Sequence, residues 1–292
     1  MKDHSAFHPQ LDKRRRYGTL VAGLLFAATM LGLLVLATLI VDVVTTGSGW
    51  LSEQFLTGYP TSSPETSGIW PAIVGSLYLM LIVAATTVPL GVGTALYLEE
   101  YAEEGSLKRI IQLNITNLAG VPSVVYGILG LGLFVYLFDM GSSLLAAGLT
   151  LSLLVLPIVV ISSQEALRSI PQGVRESAFA LGATRSQVIW HHLIPMALPG
   201  ILTGVILSLS RAVGETAPLV LVGASLAINF TPSHLLDDFT ALPMLVFQWT
   251  EEPGASFQEL AAAAIIVLMA FLLLMNMTAI LLRNHFEDRL AG

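Results

Sequence analysis

The sequence predicts an all-α, polytopic membrane bundle of six transmembrane helices with both termini on the same side. Three observations carry that expectation. Of 292 residues, 54% are hydrophobic and 11% charged, and the mean hydropathy is +0.77. Soluble domains carry roughly a quarter charged residues, so a bilayer is the natural solvent for this chain. Six stretches, at approximately 18–44, 70–98, 111–138, 143–163, 197–224 and 259–282, meet the roughly 20 apolar residues a spanning helix needs. Finally, the basic residues sort to one side of those stretches.

Taken in order, residues 1–17 form a basic tail with Lys2, Lys13, Arg14, Arg15 and Arg16. It reads most simply as a topology anchor, with lipid contact as a second role. The first span is too long for a signal peptide and lacks an A-x-A cleavage site, so it is expected to be retained. With the following loop it forms a unit at 18–69. That loop is rich in Thr, Ser, Gly and Pro and is bounded by Trp50 and Trp70, which suit a membrane interface. Residues 70–282 form the core, and 283–292 a short tail. Prolines and glycines lie inside the core spans, among them Pro89, Gly120, Pro122, Pro157, Pro199 and Pro218. They free backbone groups that neighbouring helices or water must satisfy, as in a bundle that lines a pathway.

Lys108 and Arg109 follow the second span, Arg168, Arg175 and Arg185 the fourth, and Arg283 and Arg289 the sixth. The segments 45–69, 139–142 and 225–258 contain no Lys or Arg. The positive-inside rule therefore places both termini in the cytoplasm. The opposite side is acidic, with Asp237, Asp238, Glu251 and Glu252 among its residues. Such a rim is a solvated face that also repels free anions, so an anion would have to arrive on a carrier. There is no cysteine, and the six histidines show no metal-ligand spacing. No nucleophile–base pair or carboxylate dyad is visible in the spans, and no G-x-x-x-x-G-K-[ST] loop is present to cradle nucleotide. A chain that does no covalent chemistry, and takes any motor from a partner, is the expectation.

The segment 165–199 lies on the basic side between the fourth and fifth spans. Good helix formers at 175–181, a break at Gly182 and an apolar run at 186–194 predict a helix–Gly–helix element outside the bilayer. Its small residues Ser177, Ala178, Ala180 and Gly182 would allow close approach, and a rigid knob of this kind suits a groove on another protein. The segment resembles the EAA loop of ABC importer permeases, in which E-A-A is followed after three intervening residues by a glycine and, beyond nine more residues, by I-x-L-P. Here Glu176, Ser177 and Ala178 precede Gly182, His192, Ile194 and Pro195 at that spacing, with Ser177, His192 and Ile194 departing from the pattern. The resemblance implies a type I importer permease fold, with Glu176, Ser177, Ala178, Gly182 and Pro195 in a coupling helix that docks on an ATP-binding subunit.

Within the fifth span, Arg211 lies 11 residues beyond Gly200, about 16 Å along a helix and near mid-membrane. Glu215 follows one turn later. Gly204, Ser208, Arg211 and Glu215 are spaced to share one face. Charges at that depth are costly and point to function. They could form a structural ion pair, or Arg211 could meet a crossing anion through its bidentate fork. The two roles are compatible. The string SLSRAVGETAPLVLVGA, with Thr216 in its centre, resembles the R-A-x-G-E-T-A-P signature of phosphate importer permeases of the Pst system, and LAGVPSVVYGILGLG at 118–132 is similar to their third-helix motif. The motif order looks closest to the PstA type. Ile161 stands where some members place an arginine, which leaves Arg211 as this chain's one intramembrane cation.

The resemblance implies a prokaryotic inner-membrane phosphate permease with a PstC-like second permease, a PstB-like ATPase dimer and an outer PstS-like binding protein. ATP and magnesium would sit on the ATPase, with no cofactor on this chain. Arg211 and Glu215, with Ser208 and Thr216 beside them, would line the phosphate path. An importer for sulfate or molybdate, an ion-coupled secondary transporter or channel, and a membrane-embedded enzyme are the alternatives.

Overall fold

A computed structural model describes residues 11–224 and 228–291. Lys2 lies outside the described residues, as do the side chains of Lys13 and Arg289. The described residues are helical throughout their regular structure, with one isolated antiparallel bridge between Ser143 and Asp238.

Helix α1, Leu11–Gly47, is apolar, and its membrane-spanning stretch is exposed on all sides. Its end docks where Gly47 meets the backbone of Ala262 and Ala263. The outer loop expected at 45–69 is ordered. It holds a turn at Ser48–Trp50, helix α2 at Glu53–Thr57 and a turn at Pro64–Thr66. Ser52 caps α2 by accepting the Phe55 N–H at 3.1 Å, and Trp50 Nε1 donates to Glu259 Oε2 at 2.8 Å.

Helix α3 runs over Trp70–Leu96 and ends in a π-turn at Tyr97–Tyr101. The third span is where expectation and structure part. The stretch 111–138 is two pieces, α4 at Ser106–Ala119 and α5 at Ser123–Gly130 with a π-turn to Leu137, bent by 105°. Pro122 disfavours helical backbone at Val121 before it and brings no N–H of its own, so the ladder stops at Ala119. The freed Leu118 carbonyl accepts the Tyr126 hydroxyl at 2.8 Å. By contrast, Pro89, Pro157 and Pro199 sit inside unbroken helices.

Helix α6, Leu144–Arg168, is the buried centre of the bundle. Its closest partner is α3, because Gly91 leaves room for Val159 and Gly148 for Ile82. Lipid tails are as apolar as Leu, so membrane helices associate through such close packing and through polar bonds worth about 0.6 kcal/mol each on average. Thr86 and Ser152 share one at 2.6 Å between α3 and α6.

Helix α7, Gln172–Ala180, follows a sharp corner, and α8, Arg185–Val188, starts the next helix. The apolar run 186–194 is not a separate helix, because Arg185–Val213 is one span that passes through a π-turn at Ile189–Leu193 into α9, Ile194–Val213. The stretch expected as one span at 197–224 is interrupted at 214–216 before α10, Ala217–Val222. Gly214 and Glu215 close i→i−3 bonds to Arg211 and Ala212, and Pro218 has no N–H with which to resume the ladder. Beyond it, α11 at Leu242–Glu251 buries Trp249 against Phe55, and α12 at Ala255–Ala291 closes the bundle. Ser210 donates to Asn276 Oδ1 at 2.6 Å, tying α9 to α12. Among the described residues, five helices are long and apolar enough to span a bilayer, and the bent pair counted as one span makes a sixth.

Candidate functional site

Arg211 sits in the last turn of α9, directly before the break. Its Nε donates to Glu215 Oε1 at 3.2 Å, the one contact in this pair. The side chains are 46% and 17% exposed, so the guanidinium faces away from the bundle core and the carboxylate is tucked behind it. Thr216 lies beside them, half-buried, at the head of α10.

Ser208 does not join them. It is 1% exposed, donates to the Gly204 carbonyl at 2.8 Å, and lies on the flank where Gly204 meets Ser162 of α6. Three residues advance a helix by about 300°, so Ser208 and Arg211 point about 60° apart. The common face expected from spacing is therefore a stripe cut by the edge of the bundle. Its first half packs and its second half is open. Ile161 on α6 is half-buried and adds no polar group to that face.

The other broken helix lies alongside. Gly127 of α5 leaves room for Pro218 and Leu221 of α10, and Tyr126, Ala212 and Val213 share one apolar cluster. No side chain caps the α5 N-terminus at Ser123. Its free N–H groups and macrodipole make that end partially positive.

At the basic end, the segment that resembles the EAA loop is built by two capping devices. Helix α7 stops at a Schellman motif, in which Gly182 (φ +81°) bonds Phe179 O at 2.9 Å and Ala183 bonds Ala178 O at 3.1 Å. Thr184 and Gln187 then form a reciprocal capping box that starts the next helix. Glu176, Ser177 and Gly182 are exposed, and Pro195 is half-buried inside the span. Ala178 turns inward with Leu167, Ile170 and Val188. The outward face carries Phe179 and the 89% exposed Leu181 beside the exposed small residues Ser177, Ala180 and Gly182.

Spacing gave no notice of what holds this element. Arg168 grips Glu99 with both ends of its fork, Nε to Oε2 at 2.9 Å and Nη2 to Oε1 at 2.6 Å. Arg175 donates to Glu100 Oε1 at 2.7 Å and 3.2 Å and also to the carbonyls of Leu167 and Ile170 at 3.1 Å. Gln164, fully buried, donates to Glu99 and exchanges amide bonds with Gln112 of α4. A cleft of 630 Å³ opens beside Glu99, Lys108, Arg109 and Arg168. At its mouth Lys108 bonds the Glu104 carboxyl and holds it below the usual carboxylate range. At the far end, the His234 and Ser233 N–H groups do the same for Asp237. Among the described residues, no three His, Asp or Glu side chains gather as metal ligands.

Residues 87–292 match the family described as binding-protein-dependent transport system inner membrane component. The chain is 33% identical over 285 residues to the phosphate transport system permease protein PstA 1 of Mycobacterium tuberculosis (strain CDC 1551 / Oshkosh), covering 95% of this chain and 92% of the relative. It is 36% identical over 272 residues to the PstA of Mycobacterium leprae (strain TN), covering 89% and 88%. Among solved structures, a bacterial alginate ABC transporter in complex with its alginate pentasaccharide-bound periplasmic protein shares the fold, with TM-score 0.64 at 15% identity over 95% of this chain and 96% of that one. The inward-facing MetNI methionine ABC transporter does so with TM-score 0.59 at 20% identity, over 75% of this chain and 94% of that one. The chain belongs to the binding-protein-dependent transport system inner membrane components and, within them, to the PstA-type permeases.

Proposed function

We propose that this chain is the transmembrane permease subunit of an ATP-driven phosphate importer, and that it forms half of the translocation path without catalysing a reaction itself. Its basic end, with both termini and the α7 element, faces the cytoplasm, and its acidic end receives an outer binding protein. A second permease completes the path, and an ATPase dimer that carries ATP and magnesium docks on Phe179, Leu181 and their neighbours. The observation that carries this proposal is the exposed Arg211 held by a single contact to Glu215 beside the break in α9.

A guanidinium at mid-membrane costs at least about 2.5–3.5 kcal/mol when it faces lipid. The open side of Arg211 therefore suits a water-filled seam between two chains. Phosphate meets two parallel N–H donors there, a geometry that Arg supplies and Lys does not. The uncapped α5 end adds positive potential along the same seam. Glu215 competes for the guanidinium, so the anion is held long enough to enter and released when the carboxylate returns. Closure of the motor moves the docking elements and changes which side is open.

The test is phosphate uptake into liposomes carrying the whole transporter. Arg211→Gln should lower uptake by about a hundredfold, the size expected when the charged partner of a bound anion is removed. Assembly and basal ATP hydrolysis should persist. Wild-type uptake by the variant, or equal competition by sulfate in the parent, would overturn the assignment.

A further inference from the structure

The turn Tyr97–Tyr101 presents three consecutive side chains to three arginines from the following cytoplasmic segment. Glu99 takes Arg168 from the end of α6, and Glu100 takes Arg175 from α7. Tyr101 lies under Arg185 from α8, with the guanidinium carbon 5.4 Å from the ring centroid. That distance is within cation–π range. The three arginines belong to the three pieces that make the corner, the docking helix and the return helix. No other five-residue stretch described here receives contacts of this kind from all three.

In an α-helix consecutive side chains fan out by about 100°, which would send three neighbours to different faces. This turn is a π-turn, closed by the Ala102 N–H on Tyr97 O at 2.8 Å. An i→i+5 turn changes that step only slightly, so the three side chains still fan out, and each meets an arginine from a different piece of the following segment. Arg185 also stands one turn before a second π-turn, Ile189–Leu193. The docking element is thus bounded by two widened turns, with an aromatic contact between them.

The Arg175–Glu100 pair is the rigid centre. Its side chains are 16% and 11% exposed, and the two remaining arginine bonds go to Leu167 and Ile170, near the carbonyl end of α6. One guanidinium therefore fixes α7 to both α3 and α6, which already pack closely through Gly91 and Gly148.

We propose that Glu99, Glu100 and Tyr101 are positioning residues. They seat the docking element on the membrane helices so that a push from the motor moves α3 and α6 as one body. This rests on the importer assignment above. Without the seat, α7 would hinge at the Ser169–Pro171 corner and at Gly182, and motor movement would be absorbed in the loop. Glu99, Glu100 and Tyr101 touch neither phosphate nor nucleotide and act only through the three arginines.

The experiment measures phosphate taken up per ATP hydrolysed in liposomes carrying the complete transporter. Glu99→Gln and Tyr101→Leu leave the Arg175–Glu100 pair in place. Together they should lower uptake per ATP by about fivefold, the size expected of residues that carry coupling without touching a ligand. Assembly and basal hydrolysis should be unchanged, a split that a merely structural role does not produce. The reversed pair Glu100→Arg with Arg175→Glu should recover more of the ratio than either single reversal. An unchanged ratio in the assembled double variant overturns the proposal. If that variant does not assemble, the two single variants decide, and unchanged ratios in both overturn it equally. Failure of the parent complex to take up phosphate defeats the importer assignment instead, so the two outcomes are distinguishable.

Discussion

Two arginine–glutamate pairs in this chain are built in opposite ways. Arg211 and Glu215 are one helical turn apart, meet through one bond of 3.2 Å, and expose 46% and 17% of their side chains. Arg175 and Glu100 come from different helices, meet at 2.7 Å, and expose 16% and 11%. Arg175 adds bonds to two carbonyls, whereas Arg211 makes no other described hydrogen bond. The difference assigns work to each. A loosely held cation can exchange its carboxylate for a passing anion, and a fully engaged one transmits displacement without letting go.

The largest expected effect separates the pairs by stability. Arg175→Ala strands Glu100 at a mostly buried position and should cost about 3 kcal/mol, the lower end for breaking a buried pair. Arg211→Ala removes an i,i+4 contact worth about 0.5 kcal/mol and should be close to neutral. Thermal unfolding of the purified complex in detergent checks this directly. Equal shifts for the two variants would erase the distinction between a locked pair and an open one.

That distinction was half legible in the sequence. Arg211 and Glu215 announce themselves because charges inside a 20-residue apolar run are conspicuous and one turn apart. Glu100 and Arg175 are 75 residues apart, and each alone is an ordinary charge at a membrane boundary. The one local hint was a Glu-Glu step at the end of the second span, on the side where basic residues collect. The spans themselves were legible because hydropathy reports them by length. The breaks were not, since prolines lie inside several spans and only Pro122 and Pro218 accompany interruptions. A glycine precedes each of those two, but Gly120 and Gly214 both hold ordinary right-handed backbone, so the breaks come from the packing around each proline and not from a glycine-only turn. Burial of Ser208 and Ala178 depends on which neighbour each meets, and spacing along one helix does not carry that.

A smaller effect probes how the open pair works. Glu215→Gln keeps the shape and removes the competing charge, so Arg211 should hold phosphate more tightly and release it more slowly. Both the apparent KM and the maximal uptake rate should fall by about three- to tenfold, as expected when ground-state binding is strengthened without helping the step that follows. Uptake measured across phosphate concentrations gives both values. A raised KM would instead make Glu215 a structural support for Arg211, and the pair would then resemble the locked one.

The smallest effect concerns the tip of the docking element. Gly182 holds φ +81° with open space where a Cβ would lie, so Gly182→Ala meets no steric obstacle. The cost is conformational alone, about 1 kcal/mol for a left-handed non-glycine residue. It falls on the turn that fixes where Leu181 points, while the Arg175–Glu100 seat and the Arg211 site stay intact. The variant should therefore bind the ATPase subunit about fivefold more weakly, since 1.4 kcal/mol is tenfold, and keep its parent uptake per ATP once saturated with that subunit. A lowered ratio at saturation would move part of the coupling from the seat at 97–101 to the tip itself, because only the tip would have been disturbed.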